Sequence, residues 1–277
     1  MKNLKGTFIL LLAAFIWGTA FVAQTSAGDN IGAFTFNACR NIIGALFLFV
    51  VIAILDMGKY SDRNDNLGEN NYNIDKKNYI INKKNYLTNA KKWPIKEGVI
   101  CGILLCIAMN LQQIGINTYP DGVSVSGRAG FLTATYVVMI AIASVFMGQK
   151  LHKLTIIAAF VCIAGMYLLC IAGGINEIYV ADILELMCAV AFTIHMFTVD
   201  KCNKADGVKL SCIQFLTSGI LSGILMLIFD KADINSIMKA IIPILYAGVM
   251  SSGIAYTLQI IGQKYAKAIS DCHCIEP

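Results

Sequence analysis

Along most of the chain the apolar residues come in unbroken runs separated by short polar clusters, a pattern in which each run is long enough to cross a bilayer as a helix of about 20 residues. Eight such segments follow in order: Gly6–Gly28, Ile31–Leu55, Gly98–Thr118, Gly122–Gly148, Leu154–Ala172, Ala181–Val199, Leu210–Phe229 and Ala240–Gly262. The first has the basic start of a signal peptide. Its uncharged stretch is longer than a signal core and more segments follow, so it reads as a transmembrane helix. Glu185 and His195 interrupt the sixth segment. Between the second and third, residues 56–97 are rich in Asn, Lys, Tyr and Asp and too poor in apolar residues to build a core, which predicts a solvated loop.

The third and fourth segments form a hairpin around Tyr119-Pro120-Asp121-Gly122, and their polar residues recur at helical spacing. Asn110, Gln113 and Asn117 make one stripe; Ser124, Arg128 and Thr135 make another. An arginine at the centre of a lipid-facing helix costs about 2.5–3.5 kcal/mol, so Arg128 is expected to face protein or water. For the amides two readings stand: hydrogen bonds between helices, or the wall of a polar cavity. Arg40 lies well inside the second segment with Asn37 and Asn41 on its face, as a cavity wall would. Trp17 sits mid-helix, as a packing or a cavity aromatic. Glu185 and His195 are candidates for a proton relay, with snorkelling to the nearer membrane face as the alternative.

Composition sharpens this picture. With 57% hydrophobic and 14% charged residues, the chain is excluded from the ordinary soluble class. Its net charge of +5 reflects where the basic residues sit. With the N-terminus in the cytoplasm, 18 of the 22 Lys and Arg fall inside, Lys231 and Lys239 fall outside, and Arg40 and Arg128 lie in the membrane. Both termini are then cytoplasmic, and the plasma (inner) membrane is the expected location. Most of the ten cysteines lie in or beside apolar segments without a CxxC pair and read as packing. Cys272-His273-Cys274 offers three consecutive ligands that cannot converge on one ion without strain, so no metal is expected. No cofactor and no ATP use are expected either, since the chain has no phosphate-binding loop. No nucleophile and base pair points to an enzyme. The expected partners are a small-molecule substrate and membrane lipid, not nucleic acid. Gly98 and Gly102, and Gly219 and Gly223, allow close helix contact within one chain, or in a homodimer.

An internal repeat is visible. Ala108-Met-Asn-Leu-Gln-Gln-Ile-Gly115 matches Ala255-Tyr-Thr-Leu-Gln-Ile-Ile-Gly262 at an offset of 147, as from Gln112 to Gln259. A second offset, 175, pairs Gly44 with Gly219, Leu46 with Leu221 and Trp17 with Phe192. The two differ because the long polar loop falls between the second and third segments and has no counterpart between the seventh and eighth. Segments one to three therefore correspond to six to eight. A repeat of five helices makes the second copy enter the membrane inverted, the arrangement of carriers whose solute site lies at mid-membrane between the halves.

The run LLAAFIWGTAFVAQ, Arg40 followed by a small-residue apolar helix, GRAGFLTATYVV and SSGIAYTLQIIGQKYAKA together resemble the EamA branch of the drug/metabolite transporter superfamily. The resemblance implies two inverted five-helix repeats moving small metabolites, amino acids or drugs, usually outward. The sequence departs from it in Gly148-Gln149-Lys150, where many relatives carry an acidic residue, and after Ala268, where two more helices are expected. The expectation is an all-α polytopic membrane protein, an inverted-repeat helical bundle of about eight transmembrane helices. Residues 1–173 form the first repeat and 174–277 an incomplete second. The candidate solute site comprises Trp17, Asn37, Arg40, Asn110, Gln113, Arg128, Thr135, Tyr256 and Gln259, with Glu185 and His195 for proton coupling. The alternative is a truncated, inactive or accessory protein completed by another chain.

Overall fold

A computed structural model describes residues 2–65, 93–148, 178–202, 205–231 and 233–262, with scattered positions between 157 and 168. The helices are α1 (Lys2–Gly28), α2 (Ala33–Asp65), α3 (Ile95–Thr118), α4 (Val125–Phe146), α5 (Val180–Lys201), α6 (Gly207–Phe229), the short α7 (Ile234–Lys239) and α8 (Ile241–Gly262). Among the described residues all but α7 are long and apolar enough to cross a membrane. The fifth expected segment, Leu154–Ala172, lies mostly outside the described residues, as do Gln149-Lys150 and Cys272-His273-Cys274. The protein is an integral, multi-pass, all-helical membrane protein among its described residues.

Local chemistry sets the helix ends. Gly122 and Gly148 take φ of 88° and 79°, left-handed values that let the chain turn after α3 and stop α4. Asp206 accepts from the backbone N–H of Val208 and Lys209 to cap α6, and Asp233 accepts from that of Ser236 to cap α7. The first turn of α2 is capped from elsewhere in the chain: the Thr35 N–H and hydroxyl donate to Asp230 Oδ2 at 2.7 and 2.8 Å. Gly32 must lack a side chain there, because a Cβ would occupy the place of that carboxylate.

The packing is that of a lipid-embedded bundle. Large apolar side chains such as Phe8, Phe15, Phe49 and Leu227 point outward, while Asn37, Asn41, Gln113, Ser218 and Ser252 are buried. The most extensive contact is between α2 and α6; α3 packs on α5 and α6, and α8 on α1 and α2. Of the small-residue pairs, a Cβ on Gly98 would lie 2.6 Å from Ile213 Cβ, one on Gly102 2.8 Å from the Gln214 carbonyl, and one on Gly219 3.1 Å from the Ile42 nitrogen. These three hold helices together within the chain; Gly223 meets nothing within 4 Å.

The second membrane span ends at Asp56, next to the expected Leu55, and its helix runs on to Asp65, into the polar region. Asp56 at this end meets Lys209 Nζ at 3.5 Å, tying α2 to the start of α6. The eighth segment is not uniform: it opens as an α-helix over Ile241–Leu245 and widens to a π-helix over Tyr246–Ala255. Gly248 and Gly253 lie in this stretch and press on α2, where a Cβ on Gly248 would stand 3.0 Å from the Arg40 carbonyl. The wide turn presents Ser251 and, just beyond it, Tyr256 to the interior, the kind of placement for which π-turns are often retained.

Candidate functional site

A cavity of about 110 Å³ lies between α1, α2, α3, α4, α5 and α8. Its walls include Trp17, Gln24, Arg40, Met109, Gln112, Thr133, Tyr136, Phe192, Met196, Ser251, Tyr256 and Gln259. Trp17 and Tyr256 meet edge to face with centroids 5.3 Å apart, and the Trp17 indole N–H donates to the Ser251 carbonyl at 3.3 Å. Arg40 is 4% exposed; its Nη1 donates to Gln24 Oε1 at 3.1 Å, and its guanidinium stands 5.5 Å from the Phe36 ring centroid. Among the described residues no carboxylate pairs with it, and Nε has no hydrogen-bond partner.

The lining obeys the repeat read from the sequence. The offset of 175 joins Trp17 to Phe192 and Phe21 to Met196, and the offset of 147 joins Met109 to Tyr256 and Gln112 to Gln259; all eight residues line the cavity. The same offsets relate two close contacts outside it. A Cβ on Gly115 would stand 2.9 Å from Glu185 Oε1 and 3.3 Å from the Ala181 carbonyl, while one on Gly262 would stand 2.7 Å from Leu10 Cγ and 3.4 Å from the Gly6 carbonyl. Gly115 maps to Gly262, Leu10 to Glu185 and Gly6 to Ala181.

Of the candidates, Trp17, Arg40, Tyr256 and Gln259 come together around the cavity, and the others lie elsewhere. Asn37 Nδ2 donates to the Met109 carbonyl at 2.9 Å and to Asn110 Oδ1 at 3.0 Å, while Asn110 Nδ2 donates to Ser222 Oγ at 2.9 Å. This is an interhelical clamp of α2, α3 and α6. Gln113 donates to the Gln24 carbonyl and to Asn117 Oδ1, fixing α3 against α1. Thr135 is spent on its own helix, donating to the Leu132 carbonyl.

Arg128 faces protein, as its insertion cost requires, but it does not line this cavity. Its Nε and Nη2 grip Asp182 Oδ1 and Oδ2 at 2.6 and 2.5 Å. Tyr119 donates its hydroxyl to the same carboxylate at 2.7 Å, and the Tyr179 ring lies 5.0 Å from the guanidinium. Burial, and then the bond to Asp182, push the Tyr119 phenol well above its ordinary pKa. Asp182, a single acid near the start of its segment, gave no pattern by which to find it. Glu185 does not snorkel: it is fully buried and accepts from the Thr133 hydroxyl at 2.8 Å, and Thr133 in turn accepts from Gln112 Nε2 at 3.2 Å. It therefore sits one hydrogen bond behind the cavity wall. His195 is also buried, with Nε2 3.1 Å from Gln214 Oε1, and packs edge to face on Phe192.

Residues 4–69 match the model of the EamA-like transporter family. An uncharacterized transporter of Archaeoglobus fulgidus is 24% identical over 271 residues, covering 97% of this chain and 72% of that one. The chain is similar to the EamA-like transporters over residues 4–69. A solved crystal structure of a protein is 17% identical in sequence to this chain and superposes with a TM-score of 0.65, over 94% of this chain and 81% of the other, a likeness of fold alone. Ten of the 14 wall residues, among them Gln24, Met109, Gln112, Thr133, Tyr136 and Phe192, were not among the residues expected from the sequence. Gln112 and Phe192 were legible in the repeat, as the counterparts of Gln259 and Trp17. The helical stripe pointed instead to Gln113, one position and about 100° further round α3.

Proposed function

We propose that this EamA-like protein is a secondary transporter rather than an enzyme, moving a small metabolite, amino acid or drug by alternating access, with the Arg40 cavity as its solute site. The carrying observation is the origin of the walls. Four pairs of lining residues obey the two repeat offsets, so both halves of an inverted repeat contribute equivalent positions to one cavity. Rocking of one half against the other then opens that cavity to alternate faces. The family resemblance favours outward movement across the inner membrane, and the distribution of basic residues favours cytoplasmic termini. Glu185 is the candidate for ion coupling, because Thr133 links its buried carboxylate to the cavity wall.

The test is solute counterflow in liposomes containing the purified chain, using amino acids, small organic acids and cationic drugs. Trp17→Ala and Gln259→Ala should lower uptake at least tenfold, while Phe8→Ala on the lipid-facing surface should leave it unchanged. Equal uptake by all three variants, or none above empty liposomes by the parent chain, would remove this assignment.

A further inference from the structure

Two buried arginines in this bundle have opposite surroundings. Arg128 is neutralised by a bidentate contact with Asp182, whereas Arg40 has no carboxylate partner among the described residues and borders a cavity. A buried cation without an anion has lost its hydration without a compensating charge, a loss that an anionic ligand offsets. Gln24 supplies one acceptor to Nη1, and the Phe36 ring covers part of the guanidinium. Nε remains an unused donor within a side chain that is 4% exposed. An arginine presents a planar fork suited to the two oxygens of a carboxylate.

We infer that the solute carries a single carboxylate, received by Arg40, with a compact body held among Trp17, Tyr256 and Phe192. This deepens the transport reading of the same cavity and rests on it. The cavity of about 110 Å³, walled by Trp17, Tyr256 and Phe192, sets the scale at a small solute. The other polar side chains at the wall, such as Gln24, Gln112, Thr133, Tyr256 and Gln259, are uncharged. They orient a solute by hydrogen bonds and add no second positive charge, so a monoanion fits better than a dianion.

Trp17 reports on the site directly. In the full chain carrying Trp93→Phe, Trp17 is the remaining tryptophan and its fluorescence follows occupancy. The probes are lactate against lactamide and L-alanine against alaninamide, pairs that differ in the carboxylate. A carboxylate response with at least a tenfold preference over the amide supports the assignment. Arg40→Gln should weaken the carboxylates by about 10- to 100-fold, the range for losing a hydrogen bond to a charged group, without affecting the amides. Arg40→Lys keeps the charge and should retain the preference, which guards against a glutamine variant that fails to fold. Amides binding as well as carboxylates, an Arg40→Gln chain that folds and keeps the preference, an equal response to chloride alone, or no response to either carboxylate would each overturn it. Counterflow on the same preparations separates the two readings. Movement of neutral or cationic solutes with no carboxylate preference removes the anion and leaves the carrier; carboxylate binding without counterflow keeps the Arg40 site and removes the carrier.

Discussion

Asp182→Ala tests whether Arg128 holds the bundle together or belongs to the solute path. The carboxylate accepts four hydrogen bonds: Arg128 Nε at 2.6 Å and Nη2 at 2.5 Å, the Tyr119 hydroxyl at 2.7 Å and the Tyr179 N–H at 2.9 Å. Both charged side chains are buried, at 6% and 8% exposure, so solvent screens the pair little. Removing one partner strands a guanidinium in a site built for neutrality, a loss of about 3–5 kcal/mol. Replacing both, as Arg128→Leu with Asp182→Leu, removes the stranded charge and should recover most of that loss. The measurement is equilibrium unfolding of the detergent-purified protein, for the single and double variants together. A single variant within about 1 kcal/mol of the parent, a typical value for an exposed pair, would refute the reasoning and return Arg128 to the list of candidate solute contacts.

Two further outcomes follow from the same geometry and a third from the placement of the basic residues. Gly102→Ala should cost about 1–3 kcal/mol in the same unfolding assay, because its Cβ would meet the Gln214 backbone carbonyl at 2.8 Å; Gly223→Ala, with open space around it, should be neutral or slightly stabilising through helix propensity. Glu185→Gln keeps the shape and the Thr133 contact while removing the ionisable group, so a carrier coupled through Glu185 should lose the pH dependence of its uptake yet keep counterflow; an unchanged pH profile counts against that role. A cysteine placed at Asn71 should resist an impermeant thiol reagent in intact cells, with the native cysteines as baseline, and rapid labelling there would reverse the orientation drawn from the basic residues.

The seven membrane segments among the described residues were legible in the sequence because hydrocarbon leaves the backbone one solution: a helix long enough to cross, satisfied within itself. The offsets of 147 and 175 need only matching residues to be seen, and they relate four pairs of residues on the cavity wall. Periodicity says that residues share a face of one helix, but not which neighbour that face meets. That is why Asn37, Asn110 and Gln113, rightly read as inward-facing, fasten helices together, while Gln112 reaches the cavity. It is also why two buried arginines looked alike. Arg128 found Asp182 across 54 positions of chain, and Arg40 found none among the described residues. The sequence determined that both charges must avoid lipid, a matter of transfer free energy that each residue carries with it. Which one is neutralised and which borders the cavity depends on where distant helices bring their carboxylates, and the packing of α4 against α5 and of α2 against α8 decided it.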